Sequence, residues 1–254
     1  MYRHSLLWHC LWLATPLLQV VIAWVMVRRK QVHVFPIFFT YTVFHALFSC
    51  TLFLLDHDEL IRAEFYWNFY WVGDAIGAAL RFAIVYEIFR QLMSSYPTLT
   101  QLGRSLFKWA FVLLVFAALL IAQYGTATGD DAAILASLKM LDRAIGFVQC
   151  GLIVILFSFT YYFGLSWKSN TFGIGFGLGV MSAFEFGVSA VALRAGFTEQ
   201  APIFDFVSMG TCLMGVGIWL LYLAAPESVH RPVAAVPSNN LESWDQELRR
   251  LLQR

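Results

Sequence analysis

A chain of 254 residues that is 59% hydrophobic and 13% charged, with mean hydropathy +0.67, lies outside the soluble range of about 45–50% apolar and about 25% charged residues. It reads as a polytopic all-α membrane protein, and a formal net charge of +1 supplies no basic surplus for nucleic acid. Cys10, Cys50, Cys150 and Cys212 are far apart and form neither CxxC nor a Cys/His metal spacing, so they read as small apolar packers.

The first predicted span runs from Leu6 to Val27 and continues into Arg28, Arg29 and Lys30 without a small-residue cleavage site, so it reads as retained. The second covers His33 to Leu55, with Pro36 in its first turn, and the third Tyr66 to Arg90. A fourth spans Ser105 to Gln123, a fifth Ala132 to Phe163, a sixth Thr171 to Arg194, and a seventh Pro202 to Ala224 before Pro226. The expectation is a single seven-helix bundle over 1–226, a Pro-containing linker over 227–240 and an amphipathic helix over 241–254.

Arg28, Arg29, Lys30, Arg90, Arg104, Lys108, Lys168 and the Arg-rich tail fall on one side of this layout. The opposite loops are short and mostly acidic, which predicts an external N-terminus and a cytoplasmic C-terminus in the inner membrane. The acidic loop Asp56 to Glu59 reads as solvated, with weak divalent-ion binding as the alternative. The glycines of FGIGFGLG (Gly173, Gly175, Gly177 and Gly179) follow no strand, so they predict tight helix packing and not a nucleotide site. No internal repeat is evident.

The third span holds the chemistry. Asp74 and Arg81 lie seven residues apart, within about 20° on one helical face, and each charge costs roughly 2.5–3.5 kcal/mol at a helix centre. Gly73, Gly77 and Ala78 strip that region of bulk, for a neighbouring helix or for a pocket. Further polar stripes contain His45 on the second span, Asp142, Arg143 and Gln149 on the fifth, Glu185 on the sixth and Asp205 on the seventh. By depth these form a funnel descending from the external face to Arg81 at the midplane. Arg81 is expected to pair with Glu185, with Asp74 joined only through water or ligand, and Glu87 to pair with Arg90 at the inner interface.

A retinal lysine in the last span, a bis-histidine haem, an intramembrane protease set and a metal centre are all missing from the pattern. No cofactor or catalytic residue is therefore assigned. The first span ending in RRK, the third ending in YEIFR and the tail LESWDQELRRLLQR together resemble a family of bacterial seven-helix inner-membrane proteins with no assigned activity. The resemblance covers nearly the whole chain and implies the architecture alone. Three functional readings follow: a sensory or ligand-binding protein taking a small molecule from outside and coupling through 241–254 to a partner; a small solute or proton transporter; and a structural subunit with a salt-bridged core. Membrane lipids are the one partner common to all three.

Overall fold

The computed structural model describes residues 6–57, 62–92, 146–155, 157–158, 170–195 and 202–225, with isolated helical positions at 105, 108, 109, 112 and 116. Among the described residues all regular structure is helical: α1 (Leu6–Arg28), α2 (Pro36–His57), α3 (Ala63–Leu92), α4 (Gly146–Ile155), α5 (Asn170–Ala195) and α6 (Pro202–Ala224), plus a 3₁₀ turn at Gln31–His33. α1, α2, and the stretches Asn170–Val188 of α5 and Phe206–Ala224 of α6 are each long and apolar enough to cross a bilayer. α3 is the longest helix at 30 residues, about 45 Å at 1.5 Å per residue, and holds Asp74, Arg81 and Glu87 in its body. The predicted bundle and its linker and tail boundary at 227–254 reach beyond the described residues.

Helix packing closes a ring. α1 contacts α2 and α6, α2 contacts α3, α3 contacts α5, and α5 contacts α6. Directions follow from side-chain bonds at one end of that ring. Arg29, just past α1, donates to the carbonyls of Ala225 (2.7 Å) and Ala224 (2.5 Å) at the end of α6. Gln91 at the end of α3 donates to the Val34 carbonyl and accepts from the Thr171 hydroxyl (3.3 Å) in the first turn of α5. The ends of α1, α3 and α6 thus meet the starts of α2 and α5, and we call this the clasped end and its opposite the open end.

The start of α2 explains one buried charge. Phe35 precedes Pro36, so α2 has no Ser, Thr, Asp or Asn to bond its first free amides. Glu87 supplies the cap from α3, its two carboxylate oxygens accepting from the Ile37 and Phe38 amides at 3.0 Å each. Glu87 is 1% exposed, so beside the electrostatic attraction to Arg90 expected from sequence it takes a buried capping role. A carboxylate at a helix N-terminus is held by both hydrogen bonds and the helix dipole.

The two halves of the ring differ in chemistry. The buried apolar cluster of Ile22, Met26, Phe38, Ile84, Ile88, Ile174, Leu178, Trp219 and their neighbours fills the clasped half and reaches the polar half at Tyr41 and Cys212. Its centre is Trp219, fully buried, with Phe38 edge-on at 5.0 Å and its Nε1–H donating to the Ile174 carbonyl at 3.0 Å. Small residues admit these rings: a Cβ on Gly173 would overlap Tyr222, one on Gly177 would overlap Trp219, and one on Gly215 would overlap Met181. Gly179 instead faces Ile153 and Phe157 of the α4 region at 3.0 and 3.3 Å. The glycine run therefore serves two neighbours, as close helix packing in lipid requires.

Two glycines give opposite expectations. Gly177→Leu should lower thermal stability in detergent by several degrees, because overpacking of this kind costs about 1–3 kcal/mol and displaces the Trp219 hydrogen bond. Gly77 is buried, yet a Cβ there meets nothing within 4 Å. Gly77→Ala should leave the melting temperature unchanged or raise it slightly.

Candidate functional site

The open half gathers the polar groups. Arg81 Nη1 donates to both carboxylate oxygens of Glu185 at 3.2 Å, joining α3 to α5. Its Nη2 lies 3.9 Å from Asp74 Oδ1 on its own helix. The guanidinium is the most enclosed member, with side-chain exposures of 14% for Arg81, 30% for Asp74 and 49% for Glu185. This order places the cation deep and its acids toward the opening. An arginine cannot shed its proton in lipid, so it is held by charge and hydrogen bonds.

Glu185 is the closer partner, as depth and charge predict. Seven residues span about 10.5 Å of axis. Helical side chains lean toward the N-terminus, so a long arginine reaches back most of a turn and brings its second nitrogen to 3.9 Å from Asp74, an ion pair longer than a direct hydrogen bond. Gly77 sits between the two on this face, and the space beside it is open. One α3 stripe thus presents an acid, a gap and a base in succession.

His45 enters the same region from α2. The Gln19 amide stands 3.1 Å (Nε2) and 3.2 Å (Oε1) from His45 Nδ1, so either imidazole tautomer finds a partner. Tyr41, one turn from His45 with ring centroids 5.6 Å apart, and Cys212 on α6 both lie within the electrostatic reach of Arg81 and Glu185. Every helix of the ring therefore contributes: Gln19 from α1, Tyr41 and His45 from α2, Asp74 and Arg81 from α3, Glu185 from α5 and Cys212 from α6.

Toward the open end the α1–α2 seam continues as a polar ladder. Trp12 Nε1–H donates to Ser49 Oγ at 3.0 Å, and farther out His9 and His57 meet Nε2 to Nε2 at 3.0 Å. These pairings were not assigned from sequence, although a signal for them exists. Each pair lies at nearly equal distances on either side of the Gln31–His33 turn, as antiparallel neighbours must.

The remaining predicted site residues fall elsewhere. Gln149 lies on α4, 2% exposed, and its Nε2 has no hydrogen-bond partner. Asp205 is in the first turn of α6, with its side chain outside the described residues, and Asp142 and Arg143 lie outside them altogether. The four cysteines are free thiols, and among the described residues no group of three or more His, Cys, Asp or Glu side chains gathers around one point.

Arg81→Met should destabilise the protein by about 1 kcal/mol, the scale for a pair whose acids are 30% and 49% exposed. Pairing it with Glu185→Gln should recover most of that loss, giving a coupling of about 0.5–1 kcal/mol in a double-mutant cycle of thermal or denaturant unfolding. Additive effects would mean that the two side chains do not interact in the folded bundle.

No protein-family model, curated protein sequence or solved structure matches the chain.

Proposed function

We propose that this is a seven-span receptor-like protein of the cell's inner membrane that binds a small molecule from the outside in the polar half of its helix ring. The observation that carries this reading is the division of the ring at Arg81. Below it Ile84, Val85, Ile88, Phe38, Trp219 and Leu178 are each at most 1% exposed, and above it the charged and hydrogen-bonding groups converge beside the open space at Gly77. A polar pocket closed on one side suits ligand sensing. Transport needs a polar path through both halves, and the clasped half offers an apolar seal where that path would run.

The seven-span count is supported by the direction of α4. Phe147 packs near Phe186, while Phe157 packs near Phe172 and Phe176, so α4 runs antiparallel to α5, from the open end to the clasped end. The chain leaves α3 at the clasped end, so one crossing between 93 and 145 completes an odd total. Orientation rests on charge: Arg28, Arg29, Lys30 and Arg90 mark the clasped end, while Asp56 and Glu64 are at the open end. By the positive-inside rule the clasped end is cytoplasmic. Arg29 grips the last carbonyls of α6 directly before the linker at 227–240, so a shift of the ring would pass to the predicted helix at 241–254 and whatever partner it meets.

The test is a thermal-shift screen of the purified protein in detergent against small metabolites. A genuine ligand at [L] well above its Kd raises the melting temperature, and the rise should vanish in Arg81→Met with Glu185→Gln, which retains the fold. Ligands that stabilise both proteins equally, or solute flux in proteoliposomes dependent on Arg81, would overturn the sensory reading.

A further inference from the structure

At the open end the two helices that carry the polar ladder finish in a pair of imidazoles whose geometry serves more than a hydrogen bond. His57 Nδ1–H donates to the Phe53 carbonyl one turn back at 2.9 Å. A carbonyl oxygen only accepts, so the neutral ring carries its proton on Nδ1 and turns the Nε2 lone pair outward. His9 Nε2 meets that lone pair at 3.0 Å. The rings are set by neighbours: Trp8 stands edge-on to His9 at 5.3 Å, and Phe53 lies 5.9 Å from His9 and 4.3 Å from His57.

We infer that His9 and His57 form a binding site for a divalent transition-metal ion of the zinc, copper or nickel class, bridging the open ends of α1 and α2. Three features point this way. First, nitrogens bound at about 2.0–2.1 Å on neighbouring positions of one ion stand about 2.9–3.3 Å apart, and the observed 3.0 Å falls inside that range; with ring centroids 5.2 Å apart the two Nε2 atoms face each other nearly head-on, so a rotation of the side chains turns both lone pairs onto the ion. Second, a metal-binding imidazole characteristically donates its other N–H to a carbonyl or carboxylate, which fixes its tautomer and raises its basicity; the His57–Phe53 bond is that contact. Third, imidazole selects zinc, copper and nickel over magnesium and calcium.

Binding requires His9 as its Nδ1–H tautomer: the proton between the two Nε2 atoms transfers through solvent to His9 Nδ1, which frees both Nε2 lone pairs for the ion and leaves both rings neutral. Two protein ligands leave the other coordination positions to water, so the site is exchangeable and reads the external medium. Asp56, directly before His57 on α2, adds a carboxylate beside the site. The 48 residues separating the two histidines hid the pair from any spacing rule. Occupation would tie the external ends of α1 and α2 together above the Arg81 pocket, a role separate from the ligand reading.

The experiment uses the full-length protein in detergent with CuCl₂, ZnCl₂ and MgCl₂ as probes. One equivalent of Cu²⁺ should give an electron paramagnetic resonance spectrum with nitrogen superhyperfine structure, and ZnCl₂ should raise the melting temperature saturably where MgCl₂ does not. His57→Gln or His9→Gln should weaken Zn²⁺ binding by at least about tenfold, while Asp74, Arg81 and Glu185 stay in place. A spectrum without nitrogen coupling, an equal effect of MgCl₂, or undiminished Zn²⁺ binding in the double variant His9→Gln with His57→Gln would overturn the assignment. The wild-type spectrum decides the matter even if a variant folds poorly.

Discussion

A guanidinium that cannot lose its proton, enclosed between α3 and α5, sets the terms for the rest of this bundle. Arg81 needs compensation within reach of one side chain. It obtains it from Glu185 at 3.2 Å and Asp74 at 3.9 Å. That need fixes which face of α3 points inward and brings α5 alongside it. Of the pair, Glu185 is half exposed while the arginine is largely enclosed. Because the desolvation of buried ions offsets much of their attraction, such a triad is a poor device for stability alone. Its value lies in what else can interact with it.

Stability comes from the other half. There the ring is closed by apolar burial around Trp219 and by polar clasps at the helix ends: Glu87 on the α2 amides, Arg29 on the α6 carbonyls and Gln91 between α2 and α5. Each clasp answers a backbone group that a helix terminus leaves unpaired. With one half packed and pinned, the other half is free to hold polar groups, a gap beside Gly77 and a ladder of hydrogen bonds along α1 and α2. The two ends of the ring thus divide apolar packing from polar pairing.

Much of this was legible in the sequence. The predicted first, second, sixth and seventh spans match the apolar helices α1, α2, α5 and α6 to within a few residues, because hydropathy and Pro or basic boundaries act locally; the third coincides with helix α3, whose charges keep it outside that apolar set. The choice of Glu185 for Arg81 followed from depth and charge. What escaped depends on contacts between helices. Glu87 looked like half of an interfacial ion pair because nothing local says that α2 begins without its own cap; the clue was Phe35-Pro36, a helix start with no capping side chain. The histidine pair at the open end required knowing the register of α1 against α2.

The account turns on whether water stops at Arg81. Cysteines placed singly along α3 of a variant lacking the four native thiols, in membranes treated with an impermeant thiol reagent from each side, would measure this directly. Asp74→Cys and Gly77→Cys should react rapidly from the external side, and Ile84→Cys and Ile88→Cys from neither. Comparable labelling of Ile84→Cys or Ile88→Cys would show a wet path through the clasped half and contradict the sealed pocket on which the functional reading rests.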